Sequence, residues 1–268
     1  MRTRSRVIVA VLAAMSLAGA SSAQAATEVG NDCEVTSGVP NYTFVQLARA
    51  SSSPLPLDVP SAGVVTKWTV RSKVPVVAPL SFQVLRPTGN PGEFTTVAES
   101  SEATVTLGVN TFETRIPVQA GDRFGTYGGP TTPNLYCGSE NPGDEIGVIT
   151  GRAAVGSTNV FLPQKPYLVP VSGTVEPDAD GDGYGDETQD KCPQSAAVQG
   201  ECPVISLSSF GLARKGSALV LIAASSEAPV TVSGKVSYRK KAARKKGKRA
   251  RTSAQLKLGG GTKTVAPG

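Results

Sequence analysis

In residues 80–85, Leu80, Phe82 and Val84 alternate with Ser81, Gln83 and Leu85, and in 112–118, Phe112, Thr114, Ile116 and Val118 alternate with Glu113, Arg115 and Pro117. Side chains return to the same face every second residue only in an extended strand, so this spacing commits the chain to sheets. Shorter strand candidates are 65–70, 104–109, 123–127 and 145–150. Turn chemistry separates them: Pro87-Thr88-Gly89-Asn90-Pro91-Gly92, Gly108-Val109-Asn110, Ala120-Gly121-Asp122 and Asn141-Pro142-Gly143. No stretch of this region carries the 3.6-residue amphipathic spacing of a helix.

Short strands at this spacing across 27–172 predict a mainly β chain opening with a jelly-roll-like β-sandwich. Residues 173–203 follow a Pro-rich stretch (Pro163, Pro166, Pro170) that predicts an extended linker, and they include a dense acidic loop. Residues 204–268 form a third segment, with candidate strands at 204–207, 219–223, 230–238, 255–258 and 262–265. That is too few for a closed sandwich, so the expectation is a small C-terminal β module, either an open sheet or an incomplete copy of something larger.

The first 25 residues read as a secretory signal peptide. Arg2, Arg4 and Arg6 precede an apolar run from Val7 to Leu17, and Ala23-Gln24-Ala25 supplies a small-x-small cleavage pattern. The mature chain is expected to begin near Ala26, outside the cell or at its surface. Charge then divides sharply. Residues 26–202 carry 10 basic and 20 acidic side chains, whereas 203–268 carry 14 basic and one acidic. Such asymmetry marks a boundary near 203.

Four cysteines in an oxidising compartment predict two disulfides. Of the three pairings, Cys33–Cys137 with Cys192–Cys202 keeps each bond inside one segment, while crossed pairings fold the Pro-rich stretch back on itself. Histidine is absent from all 268 residues. This excludes a Ser-His-Asp or Cys-His nucleophile, His-ligated zinc and a histidine pH switch.

The acidic loop runs Asp178-Ala179-Asp180-Gly181-Asp182-Gly183-Tyr184-Gly185-Asp186-Glu187-Thr188-Gln189-Asp190-Lys191-Cys192-Pro193. Carboxylates at positions 1, 3 and 5 of a tight loop project inward and offer oxygen to a hard cation. Gly183 stands at position 6, where such loops turn sharply; Tyr184 offers its backbone carbonyl at position 7, and Asp186 another oxygen at position 9. Many carboxylates in a flexible loop suit calcium better than magnesium. The pattern resembles the thrombospondin type 3 repeat, DxDxDGxxDxxDxCP, over 16 of the 268 residues. That resemblance implies calcium ligation by Asp178, Asp180, Asp182 and Asp186, and a structural disulfide at Cys192. Three residues, rather than the two of the family pattern, separate Asp186 from Asp190, which leaves Gln189 at position 12. Asp190 is preferred as the ligand, since a one-residue bulge is easier than replacing a carboxylate with an amide.

Nine basic residues crowd 239–251: Arg239, Lys240, Lys241, Arg244, Lys245, Lys246, Lys248, Arg249 and Arg251. In an exported protein without interleaved aromatics, such a run suits an anionic envelope polymer or lipid headgroups better than nucleic acid; the preferred reading is a solvated, flexible hairpin loop between the strands ending at Tyr238 and starting at Gln255. The function expected is therefore secreted, calcium-binding and non-enzymatic, with adhesive or scaffolding duties, calcium stiffening the segment between two modules. The alternative is a carbohydrate-binding module whose platform would draw on Trp68, Tyr42, Tyr127, Tyr136 and Tyr167. An enzyme without histidine would need a carboxylate pair, and none stands out.

Overall fold

A computed structural model describes residues 25–73 and 78–202, together with the backbone of 205–212, 218–224, 228–240 and 252–265. Residues 1–24, nearly all of the expected signal peptide, and the basic residues from Lys241 to Arg251 lie outside the described residues, as do the side chains of Arg239 and Lys240. The described elements are strands only.

In chain order the first fourteen are β1 (Thr27–Gly30), β2 (Glu34–Val35), β3 (Ser37–Ala48), β4 (Gly63–Ser72), β5 (Ala78–Pro87), β6 (Glu93–Glu99) and β7 (Ala103–Val105), then β8 (Gly108–Val118), β9 (Arg123–Gly138), β10 (Glu145–Thr150), β11 (Thr158–Val160), β12 (Leu162–Gln164), β13 (Tyr167–Leu168) and β14 (Ser172–Glu176). Eight of them, β1, β3, β4, β5, β6, β8, β9 and β14, make a two-sheet sandwich. One sheet runs β1-β14-β4-β8, with β2 also on β4; the other has β3-β9-β5-β6 at its centre, continued by β10 and β12 beyond β3 and by β11 beyond β6. Numbered along the chain, the sheets hold the first, eighth, third and sixth strands, and the second, seventh, fourth and fifth. That order is the jelly roll, two interleaved Greek keys.

The core lies between the sheets. Trp68 on β4 stacks on Phe82 of the facing sheet with ring centroids 5.8 Å apart, and its neighbour Phe112 is at 4.5 Å. Phe82 in turn meets Phe124 edge-on at 4.9 Å. Leu80, Phe82 and Val84 are wholly buried there, as the alternation requires. Ser81, Gln83 and Leu85 are buried too, because the chain from 150 to 161 folds over the outer face of β5. Leu85, Val45, Phe94, Ala153 and Phe161 form a second apolar cluster under that cover. Both cysteine pairs are disulfides: Cys33–Cys137 ties the β1–β2 connection to β9, and Cys192–Cys202 closes a short loop.

Two expectations need correction. The Pro-rich stretch is not a linker: β12 pairs with β10, and β13 pairs with β9. Phe161, Val169 and Val171 are interleaved with the prolines and are buried, so the stretch is drawn onto the sandwich rather than held in water. Likewise the sandwich does not end at 172. Its final strand, β14, runs to Glu176 and lies between β1 and β4.

The chain divides after Cys202. Beyond it, β15 (Ile205–Leu212) pairs with β16 (Ala218–Ala224), and β17 (Ala228–Lys240) pairs with β18 (Thr252–Val265), both antiparallel. The last of these merges the two short strands expected at 255–258 and 262–265.

Candidate metal centre

Glu176 ends β14, and the acidic loop begins two residues later. The loop curls on itself because Gly181 and Gly183 take positive φ, 75° and 84°, which glycine adopts without steric cost. Asp178 organises the curl. Its Oδ1 accepts the amides of Gly181 (2.8 Å) and Asp182 (3.0 Å), and its Oδ2 accepts the amide of Gly183 (3.0 Å). Asp182 Oδ1 accepts the Tyr184 amide at 2.9 Å, and Asp186 accepts the Ala179 amide at 3.2 Å.

This wiring brings one carboxylate oxygen each from Asp178, Asp180 and Asp182 within 4.8 Å of one another. Charges so placed repel, and every ion pair formed among the described residues lies elsewhere. Burial pushes the Asp180 carboxyl above its ordinary range, and the charges of Asp182, Asp190 and Asp178 add to the effect. Asp186 is pushed up in the same way, by burial and by Asp178, Asp180 and Asp190. All five aspartates thus share one electrostatic neighbourhood.

Asp190 is 2% exposed. Its Oδ1 accepts the Cys192 amide at 2.7 Å, but its Oδ2 has no hydrogen-bond partner, and neither has the enclosed Oδ2 of Asp180. A buried carboxylate oxygen without a donor is costly unless a cation meets it. Gln189, the rival ligand, faces the other way: its Nε2 donates to the Thr114 carbonyl of β8 at 2.8 Å, and its Oε1 accepts the Gly185 amide. Tyr184 gives its ring to Arg115, whose guanidinium lies 4.0 Å from the ring centre.

Sequence patterning missed the residues that fix the loop in place. Glu176 is 2% exposed and accepts four hydrogen bonds: from Thr66 Oγ1 (2.9 Å) on β4, Thr188 Oγ1 (2.7 Å), the Thr188 amide (2.9 Å) and the Glu187 amide (3.0 Å). Burial pushes its carboxyl up, but the bonds from Thr188, Thr66 and Glu187 outweigh burial and hold it below the ordinary range. Gly185 passes so close beneath that a Cβ there would sit 2.5 Å from both Glu176 Oε2 and Thr66 Cγ2. Gln199, inside the Cys192–Cys202 loop, donates to Asp182 Oδ2 at 2.8 Å. The only prior signal for Glu176 was a carboxylate two residues before the repeat; for Gln199 there was none.

The donors gathered are oxygens alone, the set a hard cation takes. By contrast, no aromatic platform forms around Trp68, which is 1% exposed and inside the core, where Tyr42, Tyr136 and Tyr167 pack against the same cluster. No family model, curated protein or solved structure matches the chain.

Proposed function

We propose that Asp178, Asp180, Asp182, Asp186 and Asp190, with the Tyr184 carbonyl, hold a calcium ion, and that the protein is a secreted, non-enzymatic β protein of the cell surface or extracellular medium. The observation that carries this is the unpartnered, buried Asp190 oxygen in the neighbourhood of three converging aspartates. Calcium is the ion because a flexible all-oxygen loop accommodates six to eight ligands, whereas zinc favours histidine and cysteine, and both of the nearby cysteines are in a disulfide. Two disulfides suit an oxidising compartment, and the signal sequence supplies the route there.

At such a site outside the cell, affinities of about 10⁻⁴ to 10⁻³ M make calcium a standing structural ion rather than a signal. Its task is to stiffen 178–190, the stretch that connects the end of the sandwich to the disulfide loop and then to the basic module. Adhesion or scaffolding follows, with the basic run at 239–251 contacting an anionic envelope polymer. A thermal-shift titration tests the site. Millimolar calcium raises the melting temperature of the mature wild type and leaves Asp180→Ala and Asp182→Ala unmoved; a wild type that does not respond removes the calcium assignment. Retention on envelope polymers, measured with and without 239–251, tests the partner, and binding that survives the deletion transfers it to the sandwich.

A further inference from the structure

We propose that the Cys192–Cys202 disulfide loop is a redox-sensitive regulator of the calcium site, acting through the Gln199 side chain and the Cys192 amide. This rests on the calcium reading above and adds to it a second, coupled equilibrium.

The two contacts fall on two well-separated aspartates, one in the middle of the loop and one at its end. Cys192 N–H donates to Asp190 Oδ1 at 2.7 Å, and Gln199 Nε2 donates to Asp182 Oδ2 at 2.8 Å. Both come from a segment whose cysteines are only 10 residues apart. The Lys191 amide donates to the Gln199 carbonyl at 3.0 Å, closing the base of that segment, and Gln199 Nε2 also donates to the Ala196 carbonyl at 3.2 Å. The crosslink therefore holds a donor against each of two ligand carboxylates and leaves the second Asp190 oxygen free for the ion. Donors behind metal ligands set ligand orientation, and their loss typically weakens metal binding by about 10- to 100-fold.

The bond is open to exchange from one side, since Cys202 is exposed while Cys192 is 3% exposed. A dithiol reductant is the co-reactant. Its thiolate attacks Cys202 Sγ, breaking the S–S bond and releasing Cys192 as a thiolate that takes up a proton. The second thiol then attacks the mixed disulfide, leaving the reductant oxidised to its own disulfide and Cys202 as a thiol. Without the crosslink Gln199 is no longer held over Asp182. Linkage makes the effect reciprocal: whatever factor the disulfide adds to calcium affinity, calcium adds to the disulfide's resistance to reduction. Gln199 is a positioning residue here.

Calorimetric titration with calcium chloride compares the oxidised mature chain with Cys192→Ala/Cys202→Ala, Gln199→Ala and Gln199→Leu. The expected result is a Kd about tenfold or more higher in each variant. The second measurement is the fraction of Cys192–Cys202 reduced at a fixed ratio of reduced to oxidised dithiothreitol, read by alkylation and mass spectrometry with calcium or with chelator. Calcium protects the bond in the wild type, and Gln199→Ala loses most of that protection while keeping its disulfide, which a merely structural glutamine would not do. Equal calcium affinity in all four proteins, or protection independent of calcium, overturns the coupling and leaves the calcium site standing. An oxidised wild type that binds no calcium overturns both.

Discussion

Replacing Glu176 removes the most heavily bonded tie between the acidic loop and the sandwich that carries it. Four donors converge on its two oxygens at 2.7–3.0 Å, from Thr66 and Thr188 hydroxyls and the Glu187 and Thr188 amides. A hydrogen bond to a charged group contributes about 1.5–3 kcal/mol, and a neutral one about 0.5–1.5 kcal/mol. Glu176→Gln keeps the size. With its oxygen toward the two amides and its nitrogen toward the two hydroxyls it also keeps four partners, and only the charge is lost. At about 1 kcal/mol per bond, reduced because the four share one group, the cost is about 2 kcal/mol. Glu176→Leu removes every acceptor and leaves two amides without theirs, for a cost of about 4 kcal/mol. Urea unfolding of the mature chain, followed through the fluorescence of its single tryptophan, Trp68, measures both. On the proposed calcium reading, affinity for the ion drops in the same order, because loop and anchor are one hydrogen-bonded unit. A Glu176→Leu protein within about 0.5 kcal/mol of wild type, the range of an ordinary surface substitution, refutes the anchoring role.

Further outcomes follow from the same structure. Gly185→Ala drives a methyl group against Glu176 and Thr66, and it lowers both the melting temperature and the calcium response. Trp68→Ala empties the contact between the sheets and costs about 3–5 kcal/mol by urea unfolding followed by circular dichroism. Burial pushes Asp144 up, but the Ser139 hydroxyl and the Ser51 and Ala50 amides prevail and hold it below the usual carboxylate range. Its contribution is therefore complete above the unfolded value of about 4 and is lost as pH falls through the lower folded value. A stability–pH series shows Asp144→Asn converging on wild type in acid. Replacing Cys33 and Cys137 by Ala frees a 104-residue separation and costs about 4.7 kcal/mol in the chain-entropy treatment, read as a drop in urea midpoint.

Strands were legible where one face met the core and the other met water. β8 alternates cleanly, and the expected 145–150 strand is β10. Ser37–Ala48 was not legible, since Pro40 and Asn41 interrupt it and Thr43, Phe44, Val45 and Gln46 are all buried. The 150–161 cover erases its two-residue period. Glu93–Glu99 was hidden by hydroxyls at Thr95 and Thr96, and β14 by the prolines ahead of it. In the loop, the aspartates declared themselves by spacing alone. What supports them comes from distant residues, Thr66 and Thr114 on the sandwich and Gln199 beyond the crosslink, and a local pattern carries no record of such partners.

The pairing of β1 with β14, Thr27 against Val175 through Gly30 against Ser172, has a consequence for biogenesis. The first strand of the sandwich to be synthesised waits for the last one before its edge is covered. Local pairings such as β5–β6 form early, but the β1-β14-β4-β8 sheet is not complete until residue 176 has emerged, and a topology so rich in non-local contacts folds slowly. The acidic loop follows that final strand directly, so on the proposed calcium reading the ion meets its ligands only as the sandwich closes. On that reading ion binding comes at the end of folding rather than at its start.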